Sequence, residues 1–427
     1  MNKMRLFNKT LIAVTVSLAT QQAVAAGFQL NAQSATGLGR AFAGDAVIAD
    51  NASVMARNPA AMALFDKTAL SLGFETITTK IKVSDANYSG ATGAVVPNYQ
   101  GESANYHDAG DTSVAPNIHL IVPVNDKFAY GVNLYSNFGT KTEFSNSYVG
   151  GEYGGKTEIM SLNLGLAGSY RIDDQWSVGA GLDLIYGQGT IKRNFSNKFY
   201  AGPTLPGVTE PLTARNGANI LDIDKADGWG VGFNVGAVYE LDENNRFGLA
   251  YRYSPEIEAK DGNQKVKLPL PDIAEFSGYH KIPDTKFAVH YSVQYISWED
   301  FDKITFENNA AIPEKEYKWQ DGYHFALGGT YFLNNDWTLR AGYMYDTSAQ
   351  DKLTSVSVPD SDRQWFSTGV TYHLDSNASI DFGFTYLMGK DVKVKETTEQ
   401  AGQTVSSLTG TTRADAILLG LQYSRSF

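Results

Sequence analysis

An alternation of apolar residues with small or polar ones recurs in segments from about Leu70 to the terminal Phe427. Successive side chains of a β-strand point to opposite faces, so each segment predicts a strand with one apolar face. The other face is mainly Gly, Ala, Ser, Asn and Asp, which suits the interior of a membrane barrel whose apolar face meets lipid. Clear apolar positions are Met160, Leu162, Leu164 and Leu166; Trp176, Val178, Ala180, Leu182 and Leu184; Trp229, Val231, Phe233 and Val235; and Phe287, Val289, Tyr291 and Val293.

The amino-acid composition favours the same class and excludes several others. The chain has 24 Tyr, 22 Phe and 6 Trp, and aromatic girdles at the two membrane interfaces account for such a content. Beyond its first segment it has no apolar run of about 18 residues, which argues against helical membrane spans. The absence of Cys removes disulfide frameworks, thiolate catalysis and Cys-ligated metals.

The N-terminus predicts export from the cytoplasm. Basic residues precede an apolar stretch, Leu11–Ala19, and small residues at positions 23 and 25 then fit a signal-peptide cleavage site. We therefore expect residues 1–25 to be a signal peptide and the mature chain to begin at Ala26. Cleavage removes only basic charges, which makes the formal net charge of −11 more negative, and such an acidic chain is a poor nucleic-acid binder. The basic residues are Lys3, Arg5 and Lys9.

Turn-forming residues predict the number of strands. Short clusters of Asn, Asp and Pro separate alternating runs at six places, and longer polar connections lie between them at seven places. This predicts an all-β transmembrane fold, an outer-membrane barrel of about fourteen antiparallel strands in residues 68–427, with both termini in the periplasm. The turns are Asn125-Asp126, Asp173-Asp174, Asp242–Asn245, Pro283-Asp284, Asn334–Asp336 and Asp375–Asn377, and the loops span residues 84–112, 145–156, 196–216, 260–272, 302–316, 349–361 and 391–411.

Residues 26–67 lack the alternation and are rich in Ala, Gly, Ser and Asn. The segment is too short to form a core of its own, but it is long enough to fill part of a barrel lumen. Composition leaves two interpretations open, a flexible periplasmic tail and a small hatch that plugs the barrel.

At these residues the chain resembles the FadL family of outer-membrane long-chain fatty acid transporters. AGFQLNAQSATGLGRAFAG, Ala26–Gly44, and RNPAAM, Arg57–Met62, are similar to the family's N-terminal hatch. The resemblance implies a fourteen-stranded barrel plugged by this hatch, and uptake of long-chain fatty acids by ligand-gated diffusion with lateral exit through the wall. It covers nearly the whole mature chain, through SNFGTKTEF from Ser136, GWGVGFNVGAVYELDENNR from Gly228, HYSVQYISW from His290 and VPDSDRQW from Val358.

The resemblance gives roles to residues of the hatch. Phe28 corresponds to the family's aromatic residue that projects into the deep ligand pocket, and it would serve equally as a hydrophobic anchor for the plug. Asn58, Pro59 and Ala60 match the hatch motif that takes part in gating. Pro restricts its own φ and the preceding residue, which suits a rigid bend, although an ordinary loop bend is the alternative.

Asn137, Phe138 and Gly139 interrupt the predicted third strand. Gly within a barrel strand marks a bulge or kink. In the family, a kink at the matching place opens the wall to lipid, so the resemblance implies a lateral opening here. The plain start of a loop is the alternative.

Two cations match family residues that contact the ligand, since a fatty acid carboxylate needs a cationic partner when it is buried. They are Arg193, near the extracellular end of the predicted fifth strand, and Lys315, near the start of the tenth, where Lys318 competes for the same role. Asp346, on the inward parity of the eleventh strand, matches a family Asp that contacts the N-terminus of the hatch. Without the resemblance, Arg193 and Lys315 would be interpreted as solvated loop charges and Asp346 equally as a rim charge.

Other functional classes remain as alternatives: an outer-membrane enzyme, an open porin or adhesin-type surface protein, and an aromatic-hydrocarbon transporter of the same architecture. The six His occur without an HExxH or GxSxG motif, so we expect no catalytic residue, no metal site and no cofactor. We expect a monomeric barrel in the outer membrane of a Gram-negative bacterium. Its partners would be a long-chain fatty acid or other hydrophobic ligand, outer-membrane lipid and, through the extracellular loops, a host or phage.

Overall fold

The computed structural model describes residues 27–92, 99–200, 215–308, 314–400 and 403–427. The predicted signal peptide, residues 1–25, and the cleavage site before Ala26 lie outside the described residues. In the described chain no helix is long and apolar enough to cross a membrane.

Strands make up most of the described chain. In chain order they are β1 (Ala69–Ser89), β2 (Glu102–Ser103), β3 (Thr112–Pro123), β4 (Phe128–Tyr135), β5 (Gly139–Glu143), β6 (Lys156–Arg171), β7 (Trp176–Asn194), β8 (Asn219–Glu240), β9 (Asn245–Tyr253), β10 (Ile257–Asp261), β11 (Gln264–Leu268), β12 (Ile273–Lys281), β13 (Phe287–Ile296), β14 (Lys303–Glu307), β15 (Glu314–Glu316), β16 (Gly322–Phe332), β17 (Trp337–Asp346), β18 (Arg363–Asp375), β19 (Ala378–Gly389), β20 (Val392–Gln400) and β21 (Gln403–Ser426).

Within these ranges a wall of fourteen antiparallel strands closes on itself, which confirms the predicted fold class. β4 and β5 together count as one wall strand, because both pair with β6. The ring closes where β21 pairs with β19 on one side and with β1 on the other. β2, β10, β11, β14, β15 and β20 extend the extracellular rim.

Side-chain exposure follows the predicted alternation. Leu182 and Val231 point outward and are 63% and 64% exposed, whereas Asp183 and Asn234 point inward and are buried. Lipid covers the outer surface of such a barrel, so the exposed apolar side chains face the environment that suits them. Each of the six predicted short turns connects two consecutive wall strands, although Asn245 and Asp375 already belong to β9 and β18. At one of the turns the Asp173 carboxylate accepts two backbone N–H groups and so holds the turn.

The structure differs from the prediction at the extracellular rim, where strands continue into segments predicted as loops. β1 reaches Ser89, β10 and β11 form a hairpin that overlaps most of residues 260–272, and β20 pairs with the first part of β21 across nearly all of residues 391–411. Neither face of these segments needs to be apolar beyond the membrane, so the alternation that reveals a wall strand is lost. Backbone pairing nevertheless continues, because it does not depend on that pattern.

Residues 27–64 pack against inward-facing side chains of the wall strands, where the predicted hatch would be, and Asp66 and Lys67 are exposed. A single helical turn, α1 (Ala35–Leu38), packs against β19 and β21. Two 3-10 helices follow, Ala52–Ala56 and Pro59–Leu64, and the second packs against β6, β7 and β8. Most of the apolar side chains of this segment are buried against inward-facing wall residues.

Ion pairs also join this segment to the wall. Arg57 lies 3.2 Å from Glu275 of β12, and Arg340 of β17 lies 3.2 Å from Asp50. Arg40 pairs with Asp50 at 2.7 Å, so a segment residue and a wall residue share one carboxylate. Burying a charge is costly unless it is paired, so these ion pairs help to hold the segment in one position.

Candidate functional site

Phe28 is fully buried within a set of aromatic side chains. The ring centroids of Trp298 and Phe301 lie 4.7 and 5.2 Å from that of Phe28, and those of Trp319 and Phe138 lie 5.8 and 6.2 Å away. We call these four residues the aromatic cage. Their edge-on and tilted contacts are the arrangements that aromatic rings prefer. The N-terminal segment therefore inserts a phenyl ring into an apolar pocket of the barrel.

Gly27 allows this insertion. Its φ is +61°, which favours glycine, and a Cβ there would lie 2.6 Å from an atom of Trp319 and 2.7 Å from Trp298. Any side chain would therefore clash with two rings of the aromatic cage.

The wall is interrupted beside the aromatic cage, between β4 and β5. In the described chain β3 pairs with β4 as far as Tyr135 and does not pair with β5. The N-terminal segment fills this break with backbone hydrogen bonds, because the Leu30 N–H donates to the Asn137 carbonyl and the Gly139 N–H donates to the Phe28 carbonyl, both at 2.8 Å. The predicted lateral opening and the predicted pocket residue are thus in direct contact.

Asn58, Pro59 and Ala60 start the second 3-10 helix. The Asn58 carboxamide oxygen accepts the Ala60 N–H at 3.0 Å and caps the helix. Its Nδ2 donates to the carbonyls of Ala46 at 3.0 Å and of Ala237, on β8, at 3.1 Å. Pro59 occupies the first helical position, where its missing N–H needs no partner. The motif is a rigid bend that is fastened to the wall.

Arg193 is buried at the extracellular end of β7. Its guanidinium donates to the carbonyls of Lys156 and Lys192 at 2.6 and 2.8 Å and to the Thr157 hydroxyl at 2.6 Å. No ion pair to a carboxylate forms among the residues described here. Within the described chain the guanidinium is therefore held by carbonyl and hydroxyl oxygens, with no carboxylate in direct contact.

Lys315 lies on β15, and its Nζ is 2.8 Å from the Glu396 carboxylate and 5.8 Å from the centroid of the Tyr317 ring. Lys318 has a different environment, because it is about half exposed and pairs with Glu316 at 2.7 Å. The structure places Lys315 beside a groove and Lys318 at the surface.

This groove has a volume of about 470 Å³ and lies at the extracellular rim. Tyr317 connects it to the aromatic cage, because Tyr317 lines the groove and its ring centroid lies 4.9 Å from Phe301 and 5.8 Å from Trp319. Neither Tyr317 nor Glu396 is predicted from the sequence. No pattern in the chain reveals them, since Glu396 is 81 residues from the lysine it contacts. The lining includes Glu152, Tyr153, Phe195, Lys315, Tyr317, Leu353, Ser355 and Glu396.

Asp346 is fully buried and lies 3.5 Å from Arg363 and 3.4 Å from the Trp365 indole nitrogen. Its predicted partner, the first residue of the mature chain, lies outside the described residues. Asp360, in the loop between β17 and β18, also pairs with Arg363 and accepts the Gly27 N–H. Burial raises the pKa of the Asp360 carboxyl, although Arg363 opposes the shift. Among the described residues no cluster of His, Asp or Glu could hold a metal ion.

The chain matches the family described as outer membrane protein transport protein (OMPP1/FadL/TodX) over residues 16–427. It is 36% identical to the long-chain fatty acid transport protein of Escherichia coli O6:H1, over 100% of both chains, and 35% identical to outer membrane protein P1 of Haemophilus influenzae, over 99% and 100%. A FadL homologue of Pseudomonas aeruginosa is similar in structure, with a TM-score of 0.79 at 23% identity, and the toluene transporter TodX of Pseudomonas putida has a TM-score of 0.64 at 19% identity. The structural alignment with each of these two proteins covers 94% of this chain and 100% of the other protein's chain.

Proposed function

The chain belongs to the OMPP1/FadL/TodX family of outer membrane transport proteins, and from this membership we propose that it takes up long-chain fatty acids. It is an outer-membrane transporter of a Gram-negative bacterium and not an enzyme, as predicted. A relative named as a long-chain fatty acid transport protein is 36% identical over its whole length, which favours this ligand over an aromatic hydrocarbon.

The proposal is carried by the position of Tyr317, which lines the groove and also contacts the aromatic cage. A fatty acid is a carboxylate joined to an alkyl chain, so its site needs a cation at one end and an apolar pocket at the other. Lys315 and Arg193 supply the cations near the groove, and the aromatic cage lies on the far side of Tyr317. Each CH₂ that enters such a pocket contributes roughly 0.8 kcal/mol.

The occupied cage suggests how the ligand opens the path. An alkyl chain in the aromatic cage would displace Phe28, whose carbonyl accepts the Gly139 N–H at the wall break. Movement of Phe28 would therefore loosen the backbone that fills the break at Asn137, Phe138 and Gly139. The ligand would then leave sideways into the lipid, and burial of its alkyl chain offsets the lost packing of Phe28 without an external energy source.

We further propose that residues 26–67 are a hatch, delivered by a signal peptide of residues 1–25. Asn58, Pro59 and Ala60 would be the fixed point of this hatch, because Asn58 is bonded to β8. Residues before Arg57 would rearrange while the bend stays attached. Asp346 would keep the start of the mature chain near the pocket through Arg363, which pairs with both Asp346 and Asp360.

Paired lysine variants test the ligand site. We expect Lys315→Met to weaken oleate binding about tenfold, because a charge-assisted contact to the carboxylate is lost. Lys318→Met removes the same charge from the exposed position and should leave binding unchanged. Methyl oleate, which carries no charge, should bind all three proteins equally.

The assay is oleate binding to purified barrels, together with uptake of labelled oleate by cells that lack their own transporter. Equal losses in both lysine variants would contradict the proposed headgroup site. Failure of the assembled wild-type barrel to take up oleate, with uptake of toluene instead, would favour the aromatic-hydrocarbon alternative.

A further inference from the structure

A carboxylate of the protein already occupies the cation of the proposed ligand site. Glu396 of β20 is only 9% exposed, and its Oε1 lies 2.8 Å from Lys315 Nζ. The Val356 N–H donates to its Oε2 at 2.9 Å, and the Ser355 hydroxyl donates to its Oε1 at 3.3 Å. Ser355 and Val356 are both buried. An ammonium, a backbone N–H and a hydroxyl thus converge on one carboxylate.

These three donors are the kind that a fatty acid headgroup needs, because a buried carboxylate must be paired and hydrogen-bonded. Lys315, Ser355 and Glu396 all line the 470 Å³ groove, so a ligand can approach them from the extracellular side. Arg193 is close enough to Glu396 to interact with it electrostatically. A second carboxylate can enter only when the first leaves, since two adjacent carboxylates repel each other.

We propose that Glu396 is the resting occupant of the headgroup site and that a ligand carboxylate binds by exchange with it. This inference rests on the proposed uptake of fatty acids and deepens it. Glu396 then determines selectivity, because an anionic ligand must compete with it while a neutral ligand of the same length need not. Exchange breaks no covalent bond and only moves the Glu396 side chain from the donors into the open groove.

The size of the effect follows from how often Glu396 holds the donors. A site that is free for a tenth of the time binds its ligand about ten times more weakly than a site that is always free. A substitution that removes the charge of Glu396 but keeps the shape of its side chain should recover the roughly tenfold loss in affinity. Glu396→Gln should therefore tighten oleate binding about tenfold and leave methyl oleate binding unchanged.

The experiment titrates oleate and methyl oleate onto the full-length barrel in lipid nanodiscs. Glu256→Gln is the matched control, because Glu256 lies between β9 and β10, is exposed, does not line the groove, and forms no ion pair in the described chain. It should bind both ligands as the wild type does. Glu396→Asp keeps the charge but draws it back from Lys315, and we expect a smaller gain in oleate affinity than with Glu396→Gln. Heat-modifiable gel mobility reports whether each barrel has assembled.

Three outcomes would overturn the inference. Oleate affinity that is unchanged or weaker in Glu396→Gln would show that the carboxylate supports the loop instead of competing with the ligand. Equal gains for oleate and methyl oleate would show that the groove has changed shape. If neither the wild type nor Glu396→Gln binds oleate, both the proposed function and this inference are wrong. If both proteins bind oleate with the same affinity, only this inference is wrong.

Discussion

Gly179 allows the N-terminal segment to touch the wall. A Cβ added to this β7 residue would lie 2.4 Å from the backbone nitrogen of Ala60 and 2.5 Å from the carbonyl carbon of Pro59. Neither neighbour can move as a flexible side chain would, because both atoms belong to the backbone. The close approach at Gly179 therefore depends on the absence of a side chain.

We expect Gly179→Ala to displace the Asn58-Pro59-Ala60 bend and to weaken its packing by roughly 1–3 kcal/mol. Gly168→Ala is the control, because the nearest atom to a Cβ there is 3.9 Å away. Oleate uptake and entry of a large antibiotic measure the effect in cells. Full retention of uptake and of the permeability barrier in Gly179→Ala would contradict a fixed bend.

Glu152 gives the extracellular rim a pH dependence. Burial raises the pKa of its carboxyl from 4.5 to about 6, against the hydrogen bond that it accepts from Tyr88. The folded loop therefore binds the proton more tightly than the unfolded loop does. The stability of the loop is greatest below about pH 4.5 and is lost as the pH rises through the folded-state pKa of about 6.

We expect loop amides near Glu152 to be protected better from hydrogen exchange at pH 4.5 than at pH 7, by roughly 1 kcal/mol at most, after correction for intrinsic exchange rates. Glu152→Gln removes the titration and should abolish most of that difference. An equal pH effect in wild type and variant would assign it to another group.

Among the secondary-structure elements, the broken pair β4 and β5 is the one whose state would control exit. Gln29 and Phe138 form an isolated antiparallel bridge, and the hydrogen bonds on either side of it make them a non-hydrogen-bonded pair. Cα atoms of such pairs lie about 4.5 Å apart, which is within the range of a disulfide. The chain has no cysteine, so an introduced pair has no competing thiol.

We expect Gln29→Cys with Phe138→Cys to block oleate uptake when oxidised and to recover it on reduction, because the disulfide holds the N-terminal segment in the break. Each single cysteine variant controls for the loss of the original side chain. The assay is uptake by cells with and without a reductant. Normal uptake by a fully oxidised barrel would rule out opening at this bridge.

The barrel as a whole is a large closed sheet whose lumen would hold water if the N-terminal segment were absent. That segment buries apolar residues such as Leu30, Leu38 and Met62 inside the lumen, and its charges pair with wall charges. An open porin, which is one of the alternatives left by the sequence, would have no such segment packed in its lumen.

We expect deletion of residues 26–67, with residues 1–25 retained, to convert a barrel with little or no conductance into one that shows ion-current steps in planar bilayers. The intact chain is the control, and heat-modifiable mobility reports assembly of the shortened one. An assembled but non-conducting deletion variant would show that other parts of the chain close the lumen.

The alternation along the chain was sufficient to predict the closed antiparallel wall, because each lipid-facing position must be apolar whatever its neighbours are. Local turn residues such as Asp173 predicted the strand count for a similar reason, since they hydrogen-bond to backbone only two or three residues away. The resemblance at Phe28 and Asn58 directed attention to the N-terminal segment, but composition left tail and plug open.

Register and the packing of distant segments decided the remaining features. They bring Glu396 to Lys315, place Tyr317 between the groove and the aromatic cage, and leave Lys318 at the surface although it is only three residues from Lys315. A side chain's partner across a sheet depends on strand pairing, which brings together residues far apart in the chain. Pattern along a chain reports the environment of each residue, whereas the partner within that environment is set by the closed barrel.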